Sequence, residues 1–202
     1  MTYDMHNTDK LNVYRQDMER TEITLLPPDL NHSGVVFTVE GDSVRYALAA
    51  IKNVGAQAME ALVDERTKNG LFTNIDDFTA RIDPRAVNKR QLENLIVAGA
   101  LDSIHPIRQQ IFQAIDVILA QAQLVKQEKQ NKQSLLFGGG SQKSAAVALP
   151  KCREWDLLEK LQKEFDALGF YLSAHPLDVY RDALSTLGLV NSHDLIARAS
   201  ST

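Results

Sequence analysis

Apolar residues recur at helical spacing along most of this chain and alternate at strand spacing over one short stretch. Leu11, Tyr14 and Met18 share one face behind Asn7-Thr8, a pair suited to capping a helix. Leu26-Pro27-Pro28-Asp29 then imposes an extended or turning segment. Val35-Val36-Phe37-Thr38-Val39 and Val44-Arg45-Tyr46 flank Glu40-Gly41-Asp42-Ser43, the pattern of a small β-hairpin. Almost no other sheet is expected.

From Ala47 the period is helical, with Ile51, Val54, Ala58 and Leu62 three or four residues apart. The pattern predicts a short helix, a tight turn, and a second helix that opens at Gly55 and stops at Asn69-Gly70. Asn74 caps a short helix carrying Ile75, Phe78 and Ile82, with Asp77 third after the cap. Asn88 caps another, with Gln91 placed for a capping box, Leu92, Leu95 and Ile96 facing inward, and Gly99 closing it. Two helix-turn-helix units thus occupy residues 47–103, the second with the degenerate turn Ala86-Val87-Asn88. A single long helix is expected over residues 107–127. Beyond it Gln, Lys, Ser and Gly dominate to residue 146, the composition of a flexible linker, broken by the apolar island Leu135-Leu136-Phe137. Trp155, Leu158, Leu161, Phe165 and Leu168 form a last stripe, ended by Gly169. Shorter helices are expected over residues 177–187 and 192–198.

Composition narrows the class. The 202 residues are 44% hydrophobic, ordinary for a globular protein. No run approaches the roughly 18 apolar residues of a membrane helix, and the N-terminus lacks the plan of a secretory signal. Cys152 stands alone, which excludes an internal disulfide and a Cys-rich metal site. A cytoplasmic location without membrane contact is expected. Net charge is −4, whereas a dedicated DNA-binding domain is usually basic. Locally the balance differs, because Arg85, Lys89 and Arg90 lie together with only Asp83 opposing them.

No catalytic constellation is visible. There is no Asp-x-Asp pair, the five histidines are scattered, and neither a phosphate loop nor a nucleophile elbow occurs. No cofactor or metal is expected in this segment. Binding chemistry is more promising. At the first turn Gly55, Ala56 and Gln57 can present N–H groups to a phosphate, and Lys52 adds charge. Asn53 and Gly55 can both take positive φ. An ordinary helix–helix corner fits the same segment, and taken alone fits it better. Arg85, Asn88, Lys89 and Arg90 offer a second phosphate site at the other turn, or merely a solvated face. Gln133-Ser134-Leu135-Leu136-Phe137 suits a short docking peptide, or a segment folded back on its own domain.

Several collinear segments resemble the bacterial replicative DNA polymerase III alpha subunits, of the C family. They are Leu25-Leu26-Pro27-Pro28-Asp29-Leu30-Asn31, Val44-Arg45-Tyr46-Ala47-Leu48-Ala49-Ala50-Ile51-Lys52-Asn53-Val54-Gly55, Val87-Asn88-Lys89-Arg90-Gln91-Leu92-Glu93-Asn94-Leu95, Gly99-Ala100-Leu101-Asp102-Ser103 and Leu168-Gly169-Phe170-Tyr171-Leu172-Ser173-Ala174-His175-Pro176-Leu177-Asp178. The resemblance implies a mainly α fold: a tandem helix-hairpin-helix domain with a small β-hairpin and flanking helices. It implies the end of a fingers-like region over residues 1–45, the hairpin domain over 46–105, and a long helix over 106–130. A linker over 131–150 follows, carrying a clamp-binding peptide of Gln133, Leu135, Leu136 and Phe137. Residues 151–202 then lead towards an oligonucleotide-binding fold that this sequence lacks.

The implied function is sequence-independent binding of duplex DNA and tethering to a sliding clamp, alongside other holoenzyme subunits. The parent is a DNA-directed nucleotidyltransferase expected to use magnesium. Its catalytic palm is missing here, so this chain alone is expected to be inactive. The competing possibility is a freestanding helical interaction module with no nucleic-acid role, for which the acidic charge speaks.

Overall fold

The computed structural model describes residues 1–134 and 146–181, with side chains for 1–130 and 146–181. Helix α1 (Thr8–Arg20) starts where Asn7 Oδ1 accepts the Lys10 N–H at 3.1 Å. Strands β2 (Thr38–Glu40) and β3 (Ser43–Arg45) form the expected hairpin, paired Thr38 to Arg45 and Glu40 to Ser43. Gly41 turns it at φ 58°, the positive value that a two-residue hairpin turn needs. A third strand was not foreseen. β1 (Thr24–Leu26) runs parallel to β3, giving the order β1-β3-β2. It is three residues long and its partner is distant in sequence, so neither alternation nor a turn announces it.

After Tyr46 the chain dives through the centre of the molecule. Residues 46–51 are all buried, and their backbone is held by Gly34, Val35 and, just beyond, Ala167, whose carbonyl accepts the Lys52 N–H at 3.0 Å. Tyr46 packs edge-on against Phe37 and beside Phe170, and burial pushes its phenol pKa far up. The first arm of the first hairpin is only a 3-10 turn, Leu48–Ala50. Helix α2 (Ala56–Asn69) follows, then α3 (Ile75–Arg81), with Asn74 Oδ1 accepting from Asp77 N, and α4 (Lys89–Val97). Arg81 joins α2 to α3. It bonds Glu65 and Asp77, each at 3.0 Å, and lies 4.3 Å from the Phe72 ring centroid. Gly99 follows α4 at φ 87°, where an added Cβ would fall 2.2 Å from Arg108 Nη2, so only glycine fits.

The single long helix is in fact two. α5 (Arg108–Gln113) and α6 (Ile115–Ser134) meet at Ala114, and α6 outlasts the expected end at 127 by about two turns. Its Gln- and Lys-rich half is helical, and the side chains described there include Lys126 bound to Asp83 and Lys129 donating to the Ala80 carbonyl at 3.0 Å. Those anchors on and after α3 are non-local, so composition alone favoured a linker.

Helix α7 (Leu157–Leu168) is capped by Asp156 and closed by Gly169 in the left-handed region. Its buried face is Leu161, Glu164, Ala167 and Leu168, which keeps Leu161 and Leu168 of the apolar stripe of the sequence but not Leu158 and Phe165. Leu158 and Phe165 point outward, Phe165 at 37% exposure, while Trp155 is buried ahead of the helix. One inward position is a glutamate, which rotates the true face away from an apolar count. Glu164 Oε1 accepts the N–H groups of Leu172 and Ser173, both at 2.8 Å, and so turns the chain after Gly169. Where a helix over 177–187 was expected, the described part is a 3-10 turn, Pro176–Tyr180, capped by His175. The helix expected over 192–198 lies outside the described residues. One hydrophobic cluster runs from Leu11 through both hairpins to Phe170, so α7 shares the core of the hairpin units.

A candidate nucleic-acid interface at two helix starts

The first turn runs from Ile51, which is buried, through Lys52 and Asn53 to Gly55. Asn53 takes φ 61°, one of two non-glycine residues with positive φ among those described. Gly55 does not take positive φ, contrary to expectation. It sits at φ −81°, ψ 138°, open to any residue, and caps α2 without a side chain. A side chain there would press only on the tip of Gln91. A Cβ there would lie 3.2 Å from Gln91 Nε2, tighter than most real contacts.

That missing cap sets α2 apart. Helices α1, α3, α4 and α7 each have an Asn or Asp side chain that accepts from their first turn. At α5 the Glu154 carboxylate does so, bonding the N–H groups of Arg108 and Gln109 at 2.9 and 3.2 Å. Burial works to raise the Glu154 pKa, but these backbone donors win and hold it below the usual glutamate value. At α2 no side chain stands in that place, so the N–H groups of its first turn, at the positive end of the helix, have no side-chain acceptor among the described residues. Lys52 beside them makes no ion pair among the described residues.

The second turn is built differently. Ala86 and Val87 donate to the Asp83 carbonyl, and the predicted capping box is present in full. Asn88 Oδ1 accepts from Gln91 N at 3.0 Å, and Gln91 Oε1 accepts from Asn88 N at 2.9 Å. Two of the donors at this helix start are therefore satisfied internally, leaving those of Lys89 and Arg90. Arg85 and Arg90 are exposed, and neither makes an ion pair among the described residues. Lys89 is not free, since its ammonium meets Asp116 on α6 at 2.8 Å. Asp83, read from sequence as the acid opposing this cluster, turns instead to Lys126 and to the Arg85 N–H. The Lys126 bond and then the Arg85 backbone bond overcome its partial burial and lower its pKa.

Gln91 joins the two turns. While its oxygen closes the capping box, its amide nitrogen faces Gly55. The starts of α2 and α4 therefore meet through Gln91 and Gly55. Sequence reasoning gave Gln91 only a capping role. Its proximity to Gly55 comes from tertiary packing and left no local signal. Gln133 lies in the last turn of α6, and Leu135, Leu136 and Phe137 lie outside the described residues. No helix of the described residues is long and apolar enough to cross a membrane.

Comparison with known proteins agrees with this layout. A family model described as helix-hairpin-helix motif matches residues 22–111, which include both turns. The chain is 47% identical to DNA polymerase III subunit alpha of Caulobacter vibrioides over 88% of its own length. It is 37% identical to the same subunit of Mycobacterium tuberculosis over 84%, and 33% identical to that of Borreliella burgdorferi over its whole length. It spans only 15 to 18% of these relatives. The mainly helical fold, the helix-hairpin-helix match and these relatives agree, and the chain belongs to the DNA polymerase III alpha-subunit family.

Proposed function

We propose that this segment grips duplex DNA by its phosphates, without reading bases, for a replicative polymerase whose active site lies elsewhere. The observation that carries this reading is the uncapped start of α2 beside the start of α4. In this reading the first-turn N–H groups, the Gln91 amide and the cations Lys52, Arg85 and Arg90 all act on the same duplex. Such groups fit phosphate oxygens and discriminate poorly between sequences. The net charge of −4 keeps the grip moderate and favours release. No catalytic group is assigned to this chain, and magnesium belongs to the parent's palm. In this reading the chain works in the cytoplasm beside the other holoenzyme subunits.

Titration of the full chain against a fluorescent duplex of arbitrary sequence tests the grip. Affinity should fall as salt rises, with a log–log slope of about −2 to −3 for two or three phosphate contacts. A second duplex of different sequence should give the same curve. A salt-independent signal, or a strong preference between the two duplexes, counts against the reading.

The tether is a separate part of the proposal. In it Gln133, Leu135, Leu136 and Phe137 seat in an apolar pocket of the sliding clamp, starting from the last turn of a helix that packs on the hairpin domain. Confinement near DNA makes even a weak contact useful. Phe137→Ala should abolish clamp binding in a pull-down or calorimetric titration while leaving duplex binding intact. Clamp binding that survives Phe137→Ala removes these residues from the role.

A further inference from the structure

We infer that Asp116 sets the affinity of the second turn by competing with phosphate for the Lys89 ammonium. This inference rests on the duplex-binding reading above. Both Asp116 oxygens reach Lys89 Nζ, Oδ1 at 2.8 Å and Oδ2 at 2.9 Å. The side chains are 54% and 77% exposed, so the pair sits on the open surface where a phosphate would arrive. Asp116 comes from α6, 27 residues away in sequence, and is not part of the turn. Its backbone is fixed, because Ile115 and Ile118 on either side are buried in the core. The carboxylate therefore occupies the place of a phosphate oxygen on a rigid mount. Its bond to Lys89 holds that amine's pKa above the ordinary lysine value.

The two turns are therefore unequal. Among the described residues nothing acidic pairs with Lys52, so the first turn meets DNA unopposed. At the second, an arriving phosphate must displace Asp116 or lie beside its charge. An exposed pair of this kind adds little to stability. Its effect falls on affinity, keeping the grip weak enough to slide or release.

The test compares duplex binding by the full chain, Asp116→Asn, Lys89→Gln, the double variant and Lys52→Glu across a salt series. Asp116→Asn should bind roughly three- to tenfold more tightly at low salt. Its log–log salt slope should steepen by about 0.9, one added phosphate contact. In the Lys89→Gln background most of that gain should vanish, which separates competition for Lys89 from a general loss of negative charge. Unchanged or weaker binding by Asp116→Asn overturns the inference, as does a gain that persists without Lys89. If Lys52→Glu still weakens binding in that case, the duplex-binding reading stands and only the role of Asp116 falls. If neither the wild-type chain nor Asp116→Asn binds at low salt, both fall together. An unfolding midpoint equal to wild type for Asp116→Asn confirms that folding is not what changed.

Discussion

Arg108→Ala should destabilise the chain by about 3–5 kcal/mol, the usual cost of removing one member of a buried charged network. The Arg108 side chain is 7% exposed and donates from three nitrogens. Nε and Nη2 hold Asp102 at 2.8 and 2.7 Å, and Nη1 donates to the Val97 carbonyl at the end of α4 at 2.9 Å. Nη1 also lies 3.7 Å from Glu164, which is itself 2% exposed. Alanine would strand the Val97 carbonyl and leave the Glu164 charge buried with only backbone partners. Arg108→Lys should recover little, because one ammonium cannot reproduce the planar fork on Asp102. Urea denaturation followed by circular dichroism reads the effect. A loss under 1 kcal/mol would mean that water takes over the role of the guanidinium.

The same network supports the candidate interface. Arg108 fastens the end of α4 to α7 through Val97 and Glu164. Helix α7 in turn receives the Lys52 N–H on the Ala167 carbonyl, at 3.0 Å. Two hydrogen bonds, one 3.7 Å ion pair and the α7 backbone thus link the end of α4 to the turn that presents the α2 start. Partial loosening at Arg108 should therefore weaken duplex binding before the helices themselves melt.

How much of this was legible beforehand follows from the range of each interaction. Local chemistry was plain. Asn7, Asn74 and Asn88 cap the helices expected of them, and the Asn88–Gln91 box forms as its spacing dictates. The Glu40-Gly41-Asp42-Ser43 hairpin likewise needs only neighbours in sequence. What stayed hidden depends on distant partners. Strand β1 exists because β3 lies beside it, the second half of α6 is anchored on α3 and the turn after it, and Glu164 is buried because Arg108 and two backbone donors await it. The candidate site divides the same way. Its residues were readable as two turns, but the meeting of Gln91 with Gly55 and the pairing of Lys89 with Asp116 were not.

Charge reversal at both turns, Lys52→Glu with Arg90→Glu, should weaken duplex binding roughly a hundredfold at low salt, about tenfold from each turn. Neither side chain makes an ion pair among the described residues, so the fold should tolerate the change. Charge reversal alone, however, does not separate a phosphate grip from general attraction. Ala56→Pro does. Ala56 is the first helical residue of α2, where proline suits the backbone and removes one N–H that the helix itself does not use. Gly55 before it has the extended ψ of 138° that a following proline prefers. The variant keeps every charge and should melt at or slightly above the wild-type temperature. If the α2 start holds a phosphate, it should still lose several-fold in duplex affinity, with a salt slope almost unchanged. Full affinity in Ala56→Pro beside a large loss in the charge-reversed variant would make the surface an attractive patch, with no backbone grip at Gly55.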